Sequence, residues 1–193
     1  MTARRILMLV GDYVEDAELL ESLHVLQMAG HLVHTICPNR SAGDLIRTAT
    51  HAQEGEQTYC ERPGRSFPLN WSFDDVRPET YDALVIPGGR SPEYIRLNQR
   101  VLEIVRHFAS AGKPIAAIAH GPQVLVAADV IEGRTISGSP HISPDIRRAG
   151  ARFAEAADSR AEVDGNLYTA SSIHALPDLL QRFLSSLGTN LFG

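Results

Sequence analysis

Short apolar runs alternate with longer amphipathic segments along most of the chain. The runs with the length and flanking turn residues of buried strands are 5–10, 31–36, 81–86 and 114–118. Apolar residues at helical spacing predict helices over 16–29, 99–111, 123–129 and 176–187, and a short helix starting at Ser91. Shorter strands are predicted near 135–137, 152–153, 161–163 and 167–169. This alternation favours an α/β fold, a three-layer sandwich around a mainly parallel sheet.

Residues 39–80 interrupt the alternation, because glycines and prolines punctuate short strand-like pieces such as 57–60. We expect a small hairpin or excursion at the edge of the sheet. The sequence contains no internal repeat and no low-complexity linker, so it predicts a single domain over 1–193 with 39–80 as an edge insertion.

The segment 113–125 predicts a strand–turn–helix elbow, which lifts one side chain out of the sheet towards the start of the next helix. The residue on such an elbow is normally a nucleophile, but here it is Ala119. The loops 11–15, 88–93 and 119–121 all follow predicted strands. Sites in parallel sheets form at the carboxyl ends of strands, so we expect these loops to converge.

Glu15 has two interpretations: an acid that favours the start of a helix, or a proton-carrying carboxyl group aimed at the elbow. The pair Gly88 and Gly89 is either a simple turn or a source of backbone N–H groups that stabilise an oxyanion. His120 is either a general base or a structural histidine.

Other polar residues are weaker candidates. Glu93 with Arg90 is equally well explained as a solvated ion pair, and His141 and His174 are further candidates. The remaining histidines are interpreted as ordinary surface or core residues: His24, His31, His34, His51 and His107. No pair of histidines has metal-ligand spacing, so we expect no metal and no cofactor. Cys37 and Cys60 are interpreted as packing residues.

The net charge of −5 and pI near 5.9 argue against a nucleic-acid partner, because no basic stripe is present. The first apolar run is too short for a membrane span, and no cleavage-site pattern follows it. With two cysteines and no disulfide framework, the sequence predicts a cytoplasmic protein with a small-molecule substrate and no membrane partner.

Three ordered blocks resemble the PfpI/ThiJ superfamily of intracellular-protease-like proteins, deglycases and glyoxalase III enzymes. The blocks are Gly11-Asp-Tyr-Val-Glu-Asp-Ala-Glu-Leu19, Asp82-Ala-Leu-Val-Ile-Pro-Gly-Gly-Arg-Ser-Pro-Glu-Tyr94 and Gly112-Lys-Pro-Ile-Ala-Ala-Ile-Ala-His-Gly-Pro-Gln-Val-Leu125. Residues 43–59 also resemble the branch related to plant two-domain glyoxalases. The resemblance spans nearly the whole chain and implies a flavodoxin-like fold related to class I glutamine amidotransferases.

The family pattern at the elbow is Ala-Ile-Cys-His-Gly, so the resemblance implies that Ala119 occupies the nucleophile position and is followed by His120. It also implies that Gly121 is one of the residues that bind the substrate or its oxyanion. It further implies that Glu15 is the acid contacting that position, and that the oxyanion-hole glycines are Gly88 and Gly89. Glu93 matches a carboxylate that in some members reaches a neighbouring subunit. The resemblance therefore implies a homodimer or higher homo-oligomer.

Ala119 puts the cysteine-dependent activities in question, since loss of a covalent nucleophile removes the pathway. Either the residue is a deliberate Cys→Ala substitution, or the natural protein lost the thiol and acts differently. The segments 137–141 and 171–174 are unusual for the family and favour the second explanation.

Three hypotheses follow. The first is a hydratase- or lyase-like enzyme in which Glu15 transfers protons on a small polar electrophile. The second is a thiol-dependent glyoxalase III, deglycase or amide hydrolase inactivated at Ala119. The third is a non-catalytic binding or chaperone-like protein.

Overall fold

The computed structural model describes residues 2–53, 59–155 and 158–190. The strands of this part of the chain are β1 Arg5–Leu9, β2 Val14–Glu15, β3 Leu32–Ile36, β4 Leu45–Gln53, β5 Tyr59–Pro68, β6 Ala83–Ile86, β7 Ile115–Ile118, β8 Thr135–Ile136, β9 Arg152–Phe153, β10 Glu162–Asp164 and β11 Leu167–Ala170. The α-helices are α1 Asp16–Met28, α2 Ser91–Ile95, α3 Gln99–Ser110, α4 Pro122–Ala127, α5 Ser143–Arg148 and α6 Leu176–Ser186. Single 3₁₀ turns cover Phe73–Asp75, Pro78–Thr80, Pro140–Ile142 and Ile173–Ala175.

The central sheet has the strand order β10-β11-β7-β6-β1-β3. Every neighbouring pair in it is parallel except β10 with β11, which is antiparallel. This confirms the predicted α/β sandwich with a mainly parallel sheet. The inner strands β1, β6 and β7 are buried on both faces, which is why their sequences are continuous apolar runs instead of alternating patterns.

Alternate residues of each strand pack into two separate apolar clusters. In β1, Ile6 and Met8 join the cluster that includes α1 and α6, whereas Leu7 and Leu9 join the cluster that includes α3 and α4. The period of two residues in a strand therefore produces a helical layer on each face of the sheet.

The hairpin predicted within 39–80 is present as β4 and β5, but it does not extend the edge of the central sheet. It forms a separate three-stranded sheet with β2, where Glu15 lies beside Ala49 in parallel register. Ile46 and Phe67 anchor the hairpin in the apolar core. The hairpin consequently lies near the carboxyl ends of the central strands. Residues 57 and 58 of the predicted strand piece lie outside the described residues.

The remaining elements agree with the predicted ones within two residues, apart from two that the apolar pattern did not reveal: β2, which lies in the predicted loop 11–15, and α5. One proline, one aspartate and two arginines surround the single buried residue of this short helix, Ile146, so no apolar period is visible. In the part of the chain that the structure describes, no helix has the length and apolarity to cross a membrane.

Candidate active site

The predicted elbow is present between β7 and α4. Ala119 has a left-handed backbone, with φ of 49°, and its N–H donates to Ala170 O at 2.9 Å. A left-handed conformation costs a non-glycine residue about 1–2 kcal/mol, so the surrounding contacts hold the backbone of Ala119 in a strained position. The elbow therefore keeps its geometry although its side chain is a methyl group.

Gly121 lies beneath the elbow and does not line the cavity described below. A Cβ atom there would lie 2.9 Å from Ile118 O and would overlap the carbonyl oxygen of Ile86. The residue is needed for the close approach of the turn to β6 and β7. The sequence placed Gly121 among the substrate-binding residues, and the structure assigns it a packing position because the turn folds back onto the sheet.

A cavity of about 240 Å³ opens in front of Ala119. Its lining, which defines the elbow cavity, consists of Glu15, Ala17, Glu18, His51, Gly89, Ala119, His120, Ser139, His141, Ser171, Ser172 and Ile173. At about 30 Å³ per water molecule, this volume holds about eight waters, so it suits a small molecule. Five sequence candidates are brought together here: Glu15, Gly89, Ala119, His120 and His141.

Glu18, and not Glu15, is the carboxyl group that reaches the floor of this cavity. Only 4% of Glu18 is exposed, and its Oε2 accepts a hydrogen bond from Gly88 N at 2.7 Å. A Cβ placed on Gly88 would lie 2.8 Å from that oxygen and 3.0 Å from Ala119 Cβ, so the carboxyl and the methyl flank one spot. Glu15 precedes α1 and belongs to β2, whereas Glu18 projects from the first helical turn towards the sheet.

The sequence contained a signal for Glu18. It lies four and eight residues before Ser22 and Leu26, on the buried face of α1. An acid on the buried face of a helix is uncommon unless it has a partner. Glu15 is the more visible acid in the sequence because it follows the first predicted strand and matches the family pattern.

Burial raises the pKa of Glu18 from 4.5 to about 7, and the nearby charge of Glu15 adds to the rise. The hydrogen bond from Gly88 opposes this shift without cancelling it. Near neutral pH the carboxyl group therefore populates both protonation states, which is the property of an efficient proton carrier.

Gly88 and Gly89 both permit close backbone approaches. The N–H of Gly88 donates to Glu18, so it holds the acid in place instead of facing the cavity. Gly89 has φ of 74° and forms a bridge with Val14, where a Cβ would contact the backbone of β2. The oxyanion role of this pair stays a prediction. Gly89 is the better candidate of the two, because it lines the cavity and Gly88 does not.

His120 lies beside the methyl of Ala119 with its ring nearly parallel to that of His141, at a centroid separation of 6.3 Å. The pKa of His120 is lowered to about 4, mainly by burial and in addition by the neighbouring His141, His51 and Arg90. The imidazole is therefore neutral at neutral pH. In this form it combines one N–H donor with one acceptor.

His51 forms the rim of the cavity with Glu15, contrary to its interpretation as an ordinary histidine. Glu15 Oε2 accepts from His51 N at 3.0 Å and contacts His51 Nδ1, and Glu61 lies 3.3 Å from His51 Nε2. Burial opposes protonation of His51, but the two carboxylates outweigh it and raise its pKa. The sequence could not reveal this pairing because the hairpin brings residue 51 beside β2 only in the folded chain.

Glu93 and His174, like Gly88 and Gly121, do not line the cavity. Glu93 pairs with Arg90 at 3.0 Å on an adjoining surface. His174 is exposed and lies in a separate groove beside Val25 and Leu176. Within the three described ranges, no group of three or more His, Cys, Asp or Glu side chains is arranged to hold a metal ion.

Comparisons with known proteins agree with the fold. A model of the DJ-1/PfpI family matches residues 4–186. The chain is 43% identical over 192 residues to Protein DJ-1 homolog D of Arabidopsis thaliana, covering 99% of this chain and 50% of that protein. It is 35% identical over 187 residues to Protein/nucleic acid deglycase 2 of Escherichia coli, covering 96% of this chain and 99% of that protein.

Among solved structures, the chain is similar to a two-domain protein with DJ-1/ThiJ/PfpI-like and ferritin-like domains from Anabaena variabilis. The TM-score is 0.82 at 28% identity, covering 97% of this chain and 49% of that one. The chain thus spans about half the length of this protein and of the plant relative.

Proposed function

This chain belongs to the DJ-1/PfpI family, and we propose that it catalyses proton transfer on a small carbonyl compound without a covalent thiol intermediate. The reaction is hydratase- or lyase-like, and Glu18 is the group that carries the proton. The observation that carries the proposal is a buried carboxyl group with a pKa of about 7, facing a cavity whose nucleophile position is a methyl group.

The two ionisable groups nearest the elbow have pKa values displaced in opposite directions. Glu18 is raised to about 7 and His120 is lowered to about 4, so at neutral pH the cavity holds a proton-accepting carboxylate beside a neutral imidazole. A carboxylate base with a neutral histidine that polarises a carbonyl is a known solution for moving a proton next to that carbonyl. Neither the carboxylate base nor the polarising histidine forms a covalent adduct with the substrate.

The relatives named deglycases extend the candidate substrates to adducts between a carbonyl and an amine. In a hemiaminal, the hydroxyl loses its proton as the C–N bond breaks, and the departing nitrogen receives a proton. The products are a carbonyl compound and an amine, so protons and electrons balance with no nucleophile. Glu18 accepts the first proton and returns it to the nitrogen in this scheme.

The test is exchange of substrate hydrogen with solvent deuterium, followed by proton NMR, over a panel of small α-hydroxycarbonyl and dicarbonyl compounds. Glu18→Gln is expected to slow exchange by about 10²–10⁴-fold, the usual contribution of a general base. Glu21→Gln is the matched control, since Glu21 is an exposed acid on the same helix. No exchange by the unmodified protein, or equal rates in the Glu18→Gln variant, would contradict the proposal.

A second candidate is the thiol chemistry of the family, and the backbone of Ala119 favours it. The residue keeps φ of 49°, the strained geometry that an elbow nucleophile uses, although alanine gains nothing from it. Ala119→Cys is then expected to gain turnover of methylglyoxal or of an amide. If the variant alkylates readily with iodoacetamide but shows no gained turnover, this candidate fails.

The open cavity argues against a purely structural scaffold. Glu15, Glu18, His51, His120 and His141 all line it, and placing ionisable side chains around a small cavity is unfavourable without a ligand or a reaction. Glu18, His51 and His120 have displaced pKa values, and such groups cluster at catalytic sites.

A further inference from the structure

The loop from Gly138 to His141 brings a second chemical group to the elbow cavity. Ser139 N–H donates to Ala119 O at 2.8 Å, so the loop is fixed to the elbow backbone. Gly138 permits this approach, because a Cβ there would lie 3.1 Å from Ala119 O and 3.1 Å from Ile142 Cδ1. Both Ser139 and His141 line the cavity.

The hydroxyl of Ser139 contacts an imidazole directly. Ser139 Oγ lies 3.0 Å from His141 Nδ1, and only 7% of Ser139 is exposed. Pro140 lies between the two residues and restricts the backbone that separates them. A serine within hydrogen-bond reach of a histidine is the basic arrangement of an activated hydroxyl nucleophile.

The usual local explanation for such a serine is helix capping, and the contacts do not support it. Ser139 precedes the 3₁₀ turn Pro140–Ile142, but its side chain makes no capping hydrogen bond. The turn is closed by the backbone, through Ile142 N to Ser139 O at 3.0 Å. The hydroxyl is therefore directed to the imidazole and not to the start of the turn.

We propose that Ser139 is a nucleophile, with His141 as its general base, and that the pair hydrolyses short-chain carboxylic esters in the elbow cavity. The serine thus occupies the cavity that lacks the family thiol. A cavity of about 240 Å³ accommodates a short acyl group such as acetyl. The substrate is uncharged or cationic, since Glu15 and Glu18 line the same cavity.

The reaction balances with water as the second substrate. Ser139 Oγ bonds to the acyl carbon while its proton passes to His141 Nδ1. The C–O bond to the alcohol then breaks, and the alcohol leaves with the proton from His141. A water molecule gives its proton to His141 and attacks the acyl-serine, which releases a carboxylic acid and restores the hydroxyl. The neutral His120 brings an N–H donor to the same cavity for the developing oxyanion.

The first experiment labels the unmodified protein with an alkyl fluorophosphonate, in which the serine oxygen replaces fluoride on phosphorus. Intact-mass and peptide measurements are expected to show one adduct, on Ser139. This result needs no variant and uses no carbonyl substrate, so it is independent of proton transfer by Glu18. Absence of the adduct, or an adduct on another residue, overturns the proposal.

The second experiment measures labelling rates and p-nitrophenyl acetate hydrolysis in variants whose circular dichroism matches that of the unmodified protein. Ser139→Ala is expected to abolish labelling, and His141→Gln to slow it by about 10²–10⁴-fold. Ser143→Ala is the matched control, because Ser143 lies on the same segment outside the cavity. Labelling in the His141→Gln variant within twofold of the unmodified rate overturns the assignment of the base.

Discussion

Glu18 on the floor of the elbow cavity and Glu15 on its rim are only three residues apart in the sequence. On the floor, formed by Glu18, Gly88 and Ala119, the carboxyl group is buried and held by a backbone N–H. On the rim, formed by Glu15, His51 and Glu61, the carboxyl group is held by an imidazole from the hairpin. The floor residues Gly88 and Ala119 follow the central strands β6 and β7 closely in the chain. The rim instead depends on an ion pair between β2 and β4.

This difference shows that the partner and the burial determine the chemistry of a glutamate more than its position in a motif does. Removal from water favours the neutral acid at Glu18 and raises its pKa to about 7. A partly exposed carboxylate beside an imidazole instead favours the charged histidine, and the pKa of His51 rises. Glu18 on the floor is therefore suited to carry a proton, whereas Glu15 on the rim forms an ion pair with His51.

The largest expected effect is on the pH dependence of stability through Glu18. Between pH 4.5 and about 7, folded Glu18 holds a proton that the unfolded chain has released, so rising pH lowers the free energy of unfolding. The loss amounts to about 3 kcal/mol, from 1.36 kcal/mol per unit of pKa. Glu18→Gln removes it, so the stability of this variant relative to the unmodified protein should rise over that pH range in urea unfolding.

His120 provides the opposite sign in nearly the same range. Its folded pKa of about 4 lies below its ordinary value of 6.5, so stability rises with pH between these values. Allowing for its partial exposure, the contribution is about 2 kcal/mol. His120→Gln should therefore lose stability relative to the unmodified protein as pH rises. If Glu18→Gln and His120→Gln changed in relative stability in the same direction as pH rises, the opposite pKa shifts of Glu18 and His120 would be contradicted.

Gly88→Ala tests whether the floor tolerates any added atom. The new Cβ would lie 2.8 Å from Glu18 Oε2 and 2.9 Å from Ile118 O, so we expect a destabilisation of about 1–3 kcal/mol by overpacking. Gly112→Ala is the comparison variant for backbone strain. Its new Cβ meets nothing within 4 Å, so any loss of stability there comes from the φ of 65°, which disfavours alanine. If the thermal unfolding midpoint of Gly88→Ala equalled that of the unmodified protein, the floor would have room for an added methyl group.

Ala119→Gly tests the strain stored at the elbow. Glycine adopts the φ of 49° without a steric penalty, but it also makes the unfolded chain more flexible. The left-handed strain of about 1–2 kcal/mol exceeds the entropic loss of about 0.5–1 kcal/mol, so a net stabilisation of about 0.5 kcal/mol is expected. Urea unfolding measures it, and a clear destabilisation would mean that the methyl contributes packing that outweighs its strain.

The smallest effect is expected at the rim. The raised pKa of His51 means that its pairing stabilises the fold below pH 6.5 and that this contribution disappears as pH rises through the folded pKa. His51→Gln should lose about 0.2–1 kcal/mol at pH 6 and less at pH 9. His24→Gln, on the exposed face of α1, serves as the control. An equal loss at both pH values would indicate packing in place of ion pairing.

The elbow and the convergence of three loops could be predicted from the sequence, because apolar runs and turn residues are local signals. The same signals placed the two glycines and His120 at one end of the sheet. These signals favoured Glu15, which follows the first strand directly, and only the apolar face that Glu18 shares with Leu26 pointed to the second acid. Apolar runs and turn residues also could not predict the contact between Ser139 and His141, although the segment 137–141 is unusual for the family.

The sequence alone determined which segments form strands and helices and in which order, and therefore an α/β sandwich with a strained elbow at Ala119. Only the tertiary structure decided that the hairpin pairs with β2, that His51 reaches Glu15, and that Glu18 is buried against Gly88. The physical reason is that apolar periodicity is encoded within a few neighbouring residues. Burial, and the protonation states that follow from it, depend on contacts between residues far apart in the chain.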